Sequence, residues 1–286
     1  MSAAPTALVT GAARGIGQAT CHALLGAGWR VVAGVRDVDV ARAGLPDHPG
    51  LAVVALDVTD GEQVRTGVAA AETHADGPLA AVVNNAGWAL LGAVEDVDLD
   101  QARDMFETNL FGAAAVLQAA VPGMRRAGAG VVVNVSSIGA RLTNPLLGMY
   151  HASKYALTAV SEALAVEVAP FGIRVVCIEP GMVDTEFPKA TTPTGALATG
   201  DGPYVPLLDE LRPGFGEWRT RHAVSADDVA VAVLGALTDP ATPFRVEIGD
   251  DARLLADARG RLDDRAFRAE LLTFLGITRW ADPDGA

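Results

Sequence analysis

Between residues 7 and 248 the chain repeats one alternation seven times: a short apolar, β-branched run, then a longer stretch with helical spacing. The runs are Ala7–Thr10, Arg30–Val35, Leu51–Leu56, Ala80–Asn84, Val131–Ser136, Ile173–Ile178 and Phe244–Ile248. Each is nearly continuous in apolar residues and does not alternate with polar ones. That is the pattern of parallel strands covered on both faces, since a half-exposed strand shows polar residues at every second position. Strand and helix in turn predict an α/β fold, a doubly wound parallel sheet with helices on both faces. A length of 286 residues, half of them apolar, fits one such domain. Thr59 with Glu62 reads as a capping box opening a helix at Asp60, and Ser225 before Asp227 and Asp228 opens another. From Asp184 to Val224 the rhythm fails: five prolines (Pro188, Pro193, Pro203, Pro206, Pro213) and several glycines leave no clear strand. So long a connection reads as a lid over a site, at about 184–224. Beyond Gly249 a tail, residues 250–286, carries two weaker helical patterns.

The first strand runs into TGAARGIGQAT, with glycines at 11, 15 and 17. Glycine allows positive φ and close approach of backbone to a ligand, and the helix opening near Gly15 presents free N–H groups and a positive dipole end to a phosphate. Placed between the first strand and a helix, this GxxxGxG is a variant of the dinucleotide fingerprint, with Gly11, Arg14, Gly15, Ile16 and Gly17 as cofactor contacts. A P-loop is excluded because no GK[ST] follows. At the end of the second strand an acid would bond the ribose 2′-hydroxyl of NAD(H), whereas an arginine accommodates the 2′-phosphate of NADP(H). Here Val35 and Arg36 precede Asp37, and Arg14 adds a second positive charge, so NADP(H) is expected over NAD(H).

Ligands of open α/β sheets bind at the carboxyl ends of the strands. Those ends carry Asp57 and Val58 after the third strand, Asn85, Ala86 and Gly87 after the fourth, and Ser136 and Ser137 after the fifth. Thirteen residues past Ser137 is Tyr150, and four further on is Lys154. That spacing puts both on one helix face. A phenol titrates near pH 10, and an adjacent ammonium or the positive ring of an oxidised nicotinamide favours its ionised form, so a lowered Tyr150 is expected, able to give or take a proton at a carbonyl or alcohol oxygen.

In this order and at these separations, TGxxxGIG, NNAG, Asn109 in ETNLFG, a strand-end serine and YHASK resemble the short-chain dehydrogenase/reductase family from about residue 5 to 249. The resemblance implies a single Rossmann-like domain. It also implies Tyr150 as acid/base, Lys154 bonding the nicotinamide ribose while lowering the tyrosine, and Ser137 bonding the substrate oxygen. Asn109 would hold a water linking Lys154 to solvent. Asp57 and Val58 would lie against adenine, Asn85 near a cofactor ribose, and Pro180, Gly181 and Thr185 of EPGMVDT beside the nicotinamide amide. A homodimer or homotetramer is implied too. NNAGWALLGAVED, YHASKYALTAVSEAL and RVEIGDDARLLA are most similar to the branch with 17β-hydroxysteroid and retinol dehydrogenase-type enzymes. That branch implies a bulky apolar ketone, aldehyde or alcohol, with Trp88, Leu147, Met182 and Phe187 as pocket walls.

Other classes have less behind them. A formal charge of −13 without a basic block argues against nucleic acid or an anionic membrane surface. The five histidines form no HxH or HExxH, so no metal is expected, and Ser137 in SSIGA lacks the GxSxG of a hydrolase. His151 follows Tyr150 and points about 100° from it on a helix, which makes it a neighbour of the reaction and no part of it. Two distant cysteines, Cys21 and Cys177, and no apolar run of membrane-spanning length suggest a soluble cytoplasmic protein. The competing reading is a protein that binds NADP(H) and reports on it without turnover.

Overall fold

The computed structural model describes residues 4–185, 191–278 and 280. Its seven main strands are β1 (Thr6–Thr10), β2 (Arg30–Val35), β3 (Leu51–Ala55), β4 (Ala81–Asn84), β5 (Gly130–Val135), β6 (Ile173–Pro180) and β7 (Arg245–Ile248). They lie within two residues of the seven apolar runs. They pair in parallel in the spatial order β7-β6-β5-β4-β1-β2-β3. The chain winds outward from β1 in both directions, which opens a crevice above β1 and β4 where connections depart to opposite sides.

The helices are α1 (Gly15–Gly26), α2 (Val38–Gly44), α3 (Gly61–Ala75), α4 (Leu99–Phe106), α5 (Ala113–Ala127), α6 (Gly148–Val168), α7 (Ala196–Thr199), α8 (Val205–His222), α9 (Ala226–Thr238), α10 (Asp250–Arg261) and α11 (Asp264–Phe274). On one sheet face Cys21 and Leu24 of α1 and Val229 and Val233 of α9 pack with Val9, Val31 and Val133. On the other, Val64 and Val68 of α3 and Val116 and Leu117 of α5 pack with Leu8, Val32 and Val132. Adjacent residues such as Leu8 and Val9 enter opposite cores, which is why the runs could not afford polar positions. Among the described residues no helix is long and apolar enough to cross a membrane, and both cysteines are buried and unbridged.

Two local expectations need correction. Asp60, not Thr59, caps α3, accepting from the N–H groups of Glu62 and Gln63, while the Thr59 hydroxyl bonds Asp57. The capping box at Ser225 forms with Asp228 as partner. The larger correction is in the 184–224 connection, whose described part holds the 18-residue α8. Pro206 sits in its first turn, where a missing N–H has no intrahelical partner to lose. Pro213 lies inside the helix, and beside it Gly214 abuts the end of α11: a Cβ there would come 2.3 Å from the Leu275 carbonyl oxygen. Gly214, which reads as a helix breaker, serves that close approach. With α10 and α11, α8 forms a third apolar cluster off the sheet, including Leu207, Leu211, Leu255, Phe267 and Leu271 together with Ile138, Leu142 and Leu146.

Candidate active site

The turn after β1 is shaped by its glycines. Gly11 (φ +63°) and Gly15 (φ +55°) are left-handed, where a side chain is strained. A Cβ on Gly17 would come 2.4 Å from the Gly11 carbonyl oxygen. Gly17 therefore seats α1 against the turn and stands behind the wall, while Gly11, Arg14, Gly15 and Ile16 line the cavity. A Cβ on Gly15 would touch only the Thr185 side chain, at 3.8 Å. Helix α1 has no side-chain cap and no acid in its first turn, so its leading N–H groups face the crevice uncompensated. Asn85 fastens this turn: its Nδ2 donates to the carbonyls of Thr10 (3.0 Å) and Gly11 (3.1 Å), and its backbone N–H donates to Thr10 Oγ1.

At the end of β2 the two competing charges separate. Asp37 Oδ1 caps α2, accepting from the N–H groups of Asp39 and Val40 at 3.0 Å each. Arg36 and Arg14 line the cavity and have no ion-pair partner among the described residues. Asp57 and Val58, Ala86 and Gly87, and Pro180, Gly181 and Thr185 also line it. Asp57 Oδ1 is engaged by Thr59, from its N–H and its hydroxyl.

Between these groups stand Ser137, Tyr150 and Lys154. Tyr150 and Lys154 are one turn apart on α6, and Ser137 caps the short turn Ile138–Ala140 after β5. All three line the cavity. Ser137 Oγ accepts the Gly139 N–H at 3.0 Å. Burial pushes the Tyr150 phenol up to about 12, with a hydrogen bond to Ser137 pulling the other way. The expectation of a lowered tyrosine fails for the protein's own groups: Lys154 Nζ lies 6.0 Å from the Tyr150 ring centre and donates to the Val135 carbonyl at 2.9 Å. Burial lowers Lys154 to about 8, which leaves it charged at neutral pH. His151 braces the same turn, its Nδ1 2.9 Å from the Gly139 carbonyl, which makes Nδ1 the protonated nitrogen; burial lowers it to about 4.

Asn109 is 1% exposed and stands behind the wall. The helix between α4 and α5 widens to π geometry over Glu107–Gly112, a distortion that re-aims side chains near functional sites. Asn109 Oδ1 accepts the Trp88 N–H (3.0 Å), and its Nδ2 donates to the Trp88 carbonyl (2.9 Å) and to Ser153 Oγ (3.0 Å). It thus joins the exit of β4 to the residue preceding Lys154.

The cavity has a volume of about 1690 Å³ and runs continuously from Arg36 and Asp57 past Tyr150 to α8 and α11. A single drug-sized ligand needs roughly 300–1,000 Å³, so there is room for two molecules end to end. Of the expected walls, Trp88, Leu147 and Met182 line it, and Phe187 lies outside the described residues. Sequence reasoning missed Leu208, Leu211, Phe215, Leu255 and Phe274, which wall the far end. Once α8 is granted, the i, i+3, i+7 spacing of 208, 211 and 215 is the signal that would have found its share.

Comparison with known proteins adds an independent line. The family model "short chain dehydrogenase" matches residues 5–195. A short-chain dehydrogenase from Streptomyces avermitilis superposes with a TM-score of 0.79 at 33% identity, covering 99% of this chain and 100% of that one. One from Burkholderia cenocepacia, solved with NADP, gives 0.74 at 30% identity over 95% and 99% of the chains. A 3-ketoacyl-(acyl-carrier-protein) reductase from Brucella melitensis, solved with NADH, gives 0.72 at 25% identity over 86% and 98%.

Proposed function

Because the chain belongs to the short-chain dehydrogenase family, we propose that it is an NADP(H)-dependent oxidoreductase that interconverts a ketone or aldehyde with an alcohol on a bulky apolar substrate, with Tyr150 as acid/base. One observation carries the reading: Ser137, Tyr150 and Lys154 meet midway along a single cavity, between an uncapped helix N-terminus and an apolar chamber. The residues present fit a dinucleotide. Gly15 on the cavity wall and the free N–H groups of α1 suit a pyrophosphate, and Arg36 with Arg14 suits a 2′-phosphate, with Asp37 already engaged as a cap. The Burkholderia neighbour with NADP supports this preference and the Brucella neighbour with NADH does not, so the proposal rests on the two arginines. A bound nicotinamide supplies or accepts the hydride.

The chain's own groups move the proton. In reduction the Tyr150 phenol, protonated at neutral pH, donates to the substrate oxygen, and Ser137 Oγ–H bonds the same oxygen. In oxidation Tyr150 takes the proton back. Lys154, positive at pH 7, steadies the phenolate left in the reductive direction. Asn109 and Asn85 hold the elements that carry these groups. Assembly as a homodimer or homotetramer belongs to the proposal; Phe111 and Val166, 54% and 76% exposed, offer apolar surface for it. A cytoplasmic setting agrees with two unbridged thiols. The test is NADPH and NADH consumption against steroids, retinoids, aryl ketones and small β-keto esters. Tyr150→Phe should keep NADPH binding and lose about 10²–10⁴-fold in kcat. Wild-type turnover in that variant removes the mechanism, and no turnover of any carbonyl leaves only dinucleotide binding.

A further inference from the structure

Helix α10 opens with two acids that behave differently. Asp250 faces solvent and pairs with Arg253 at 2.9 Å, as an acid complementing a helix dipole ordinarily does. Asp251 is 2% exposed and turned inward. Its Oδ2 accepts the Met182 N–H at 2.6 Å and the Trp218 indole N–H at 3.1 Å, and its Oδ1 accepts the Ala252 N–H at 2.8 Å. The carboxylate fills the space that side chains on Gly181 and Gly249 would need, where added Cβ atoms would come 2.1 and 2.4 Å from it. Met182 follows β6 and lines the substrate end of the cavity, and Trp218 is on α8, packed on Phe274 of α11 with ring centres 3.5 Å apart. One acceptor thereby holds three separate pieces of the chain: the exit of β6, the lid helix and the tail.

We propose that Asp251 is a positioning residue that sets the width of the substrate chamber by fixing α8 against the exit of β6. The proposal rests on the reading of that chamber as the substrate site. Leu211, Phe215 and Trp218 follow helical spacing along the cavity wall, so displacing Trp218 displaces the wall as a unit. Below Trp218 the lid is also tied by Val224 N–H to the Met182 carbonyl (3.0 Å) and by Arg219 to Asp184 (2.6 Å). Both ties end on the same short segment after β6, so the carboxylate that holds Met182 holds their anchor.

The test uses the full chain as Asp251→Ala, Asp251→Asn and Trp218→Phe, with three readouts: hydrogen exchange over 205–222, NADPH binding by fluorescence, and KM and kcat for one bulky and one small ketone. Loss of a buried acceptor corresponds to about tenfold or more. In Asp251→Ala, exchange over 205–222 should rise by about that factor, and KM for the bulky ketone should rise about tenfold against less than about threefold in kcat. Trp218→Phe, which removes the donor together with the five-membered ring and keeps a six-membered aromatic ring against Phe274, should move both the same way by about threefold. Asp251→Asn keeps one acceptor oxygen for Met182 and Trp218 but turns an NH2 group toward the Ala252 N–H, so it should fall between wild type and Asp251→Ala. Unaltered exchange and KM in both Trp218→Phe and Asp251→Ala would overturn the proposal. If Asp251→Ala gives no cooperative thermal transition, Trp218→Phe alone decides. If no ketone is turned over, the functional reading fails and exchange still judges the clamp.

Discussion

At its Arg36 end the cavity is walled largely by backbone: the glycine turn, the N-terminus of α1 and the strand ends at Asp57 and Asn85–Gly87. At its Leu211 end it is walled by side chains from α8, α10 and α11, up to 66 residues apart in sequence (Leu208 to Phe274). The backbone end demands particular residue types, because only glycine has the needed φ and only an absent Cβ gives the needed approach. The side-chain end demands apolar volume alone, which many residues supply. The residues of the Arg36 end are therefore concentrated in short motifs, and those of the Leu211 end are dispersed over packing.

That contrast can be broken by substitution. Leu211, 1% exposed in the lid cluster, should lose about 2–5 kcal/mol of stability as Leu211→Ala; in urea titrations and kinetics the variant should raise KM for a bulky ketone and leave NADPH binding intact. Equal damage to NADPH binding would mean the two ends are one unit. His151 braces the turn that carries Ser137, midway between the ends. Its pKa is lowered to about 4 in the fold from 6.5, so the unfolded chain binds the proton first. Stability is fully present above about pH 6.5 and falls by about 3 kcal/mol as pH drops to about 4. Urea titrations of wild type and His151→Gln at pH 7 and 4.5 should show the excess loss in wild type only. At the backbone end, Gly17→Ala forces a Cβ against the Gly11 carbonyl. It should lose about 1–3 kcal/mol by overpacking and weaken NADPH binding measured by fluorescence, with KM for the ketone unmoved. The smallest effect is sharpest in meaning. Arg36→Ala should lower the preference for NADPH over NADH about tenfold, roughly 1.4 kcal/mol, in the ratio of kcat/KM values. An unchanged ratio would transfer the preference to Arg14 or remove it.

Most of the sheet was legible because its signal is local and repeated: seven apolar runs, each long enough for one buried strand, came out within two residues of their observed ends. The glycine turn and the Tyr150–Lys154 spacing were legible for the same reason. The lid was not. Pro206, Pro213, Gly214 and Gly216 weigh against a helix in any local reading, and α8 forms because its apolar face closes a third cluster with α10 and α11. Asp251 was equally hidden, since an acid two residues after a glycine at a helix start reads as an ordinary dipole partner. Asn109 stood out in the sequence, but its work of joining Trp88 to Ser153 depends on a π turn that no spacing announces.

The sequence by itself determined a parallel α/β sheet, a glycine turn after its first strand and the placing of Tyr150 and Lys154 on one helix face, because backbone conformation, strand burial and helix periodicity are written in neighbouring residues. Only the tertiary structure decided that Gly17 packs against the Gly11 carbonyl, that Asp37 is occupied as a cap, and that burial raises Tyr150. It alone made a helix of the proline-rich lid and hung that helix on Asp251. Each of these depends on which distant atoms arrive beside a residue, and desolvation and close packing act only once they have arrived.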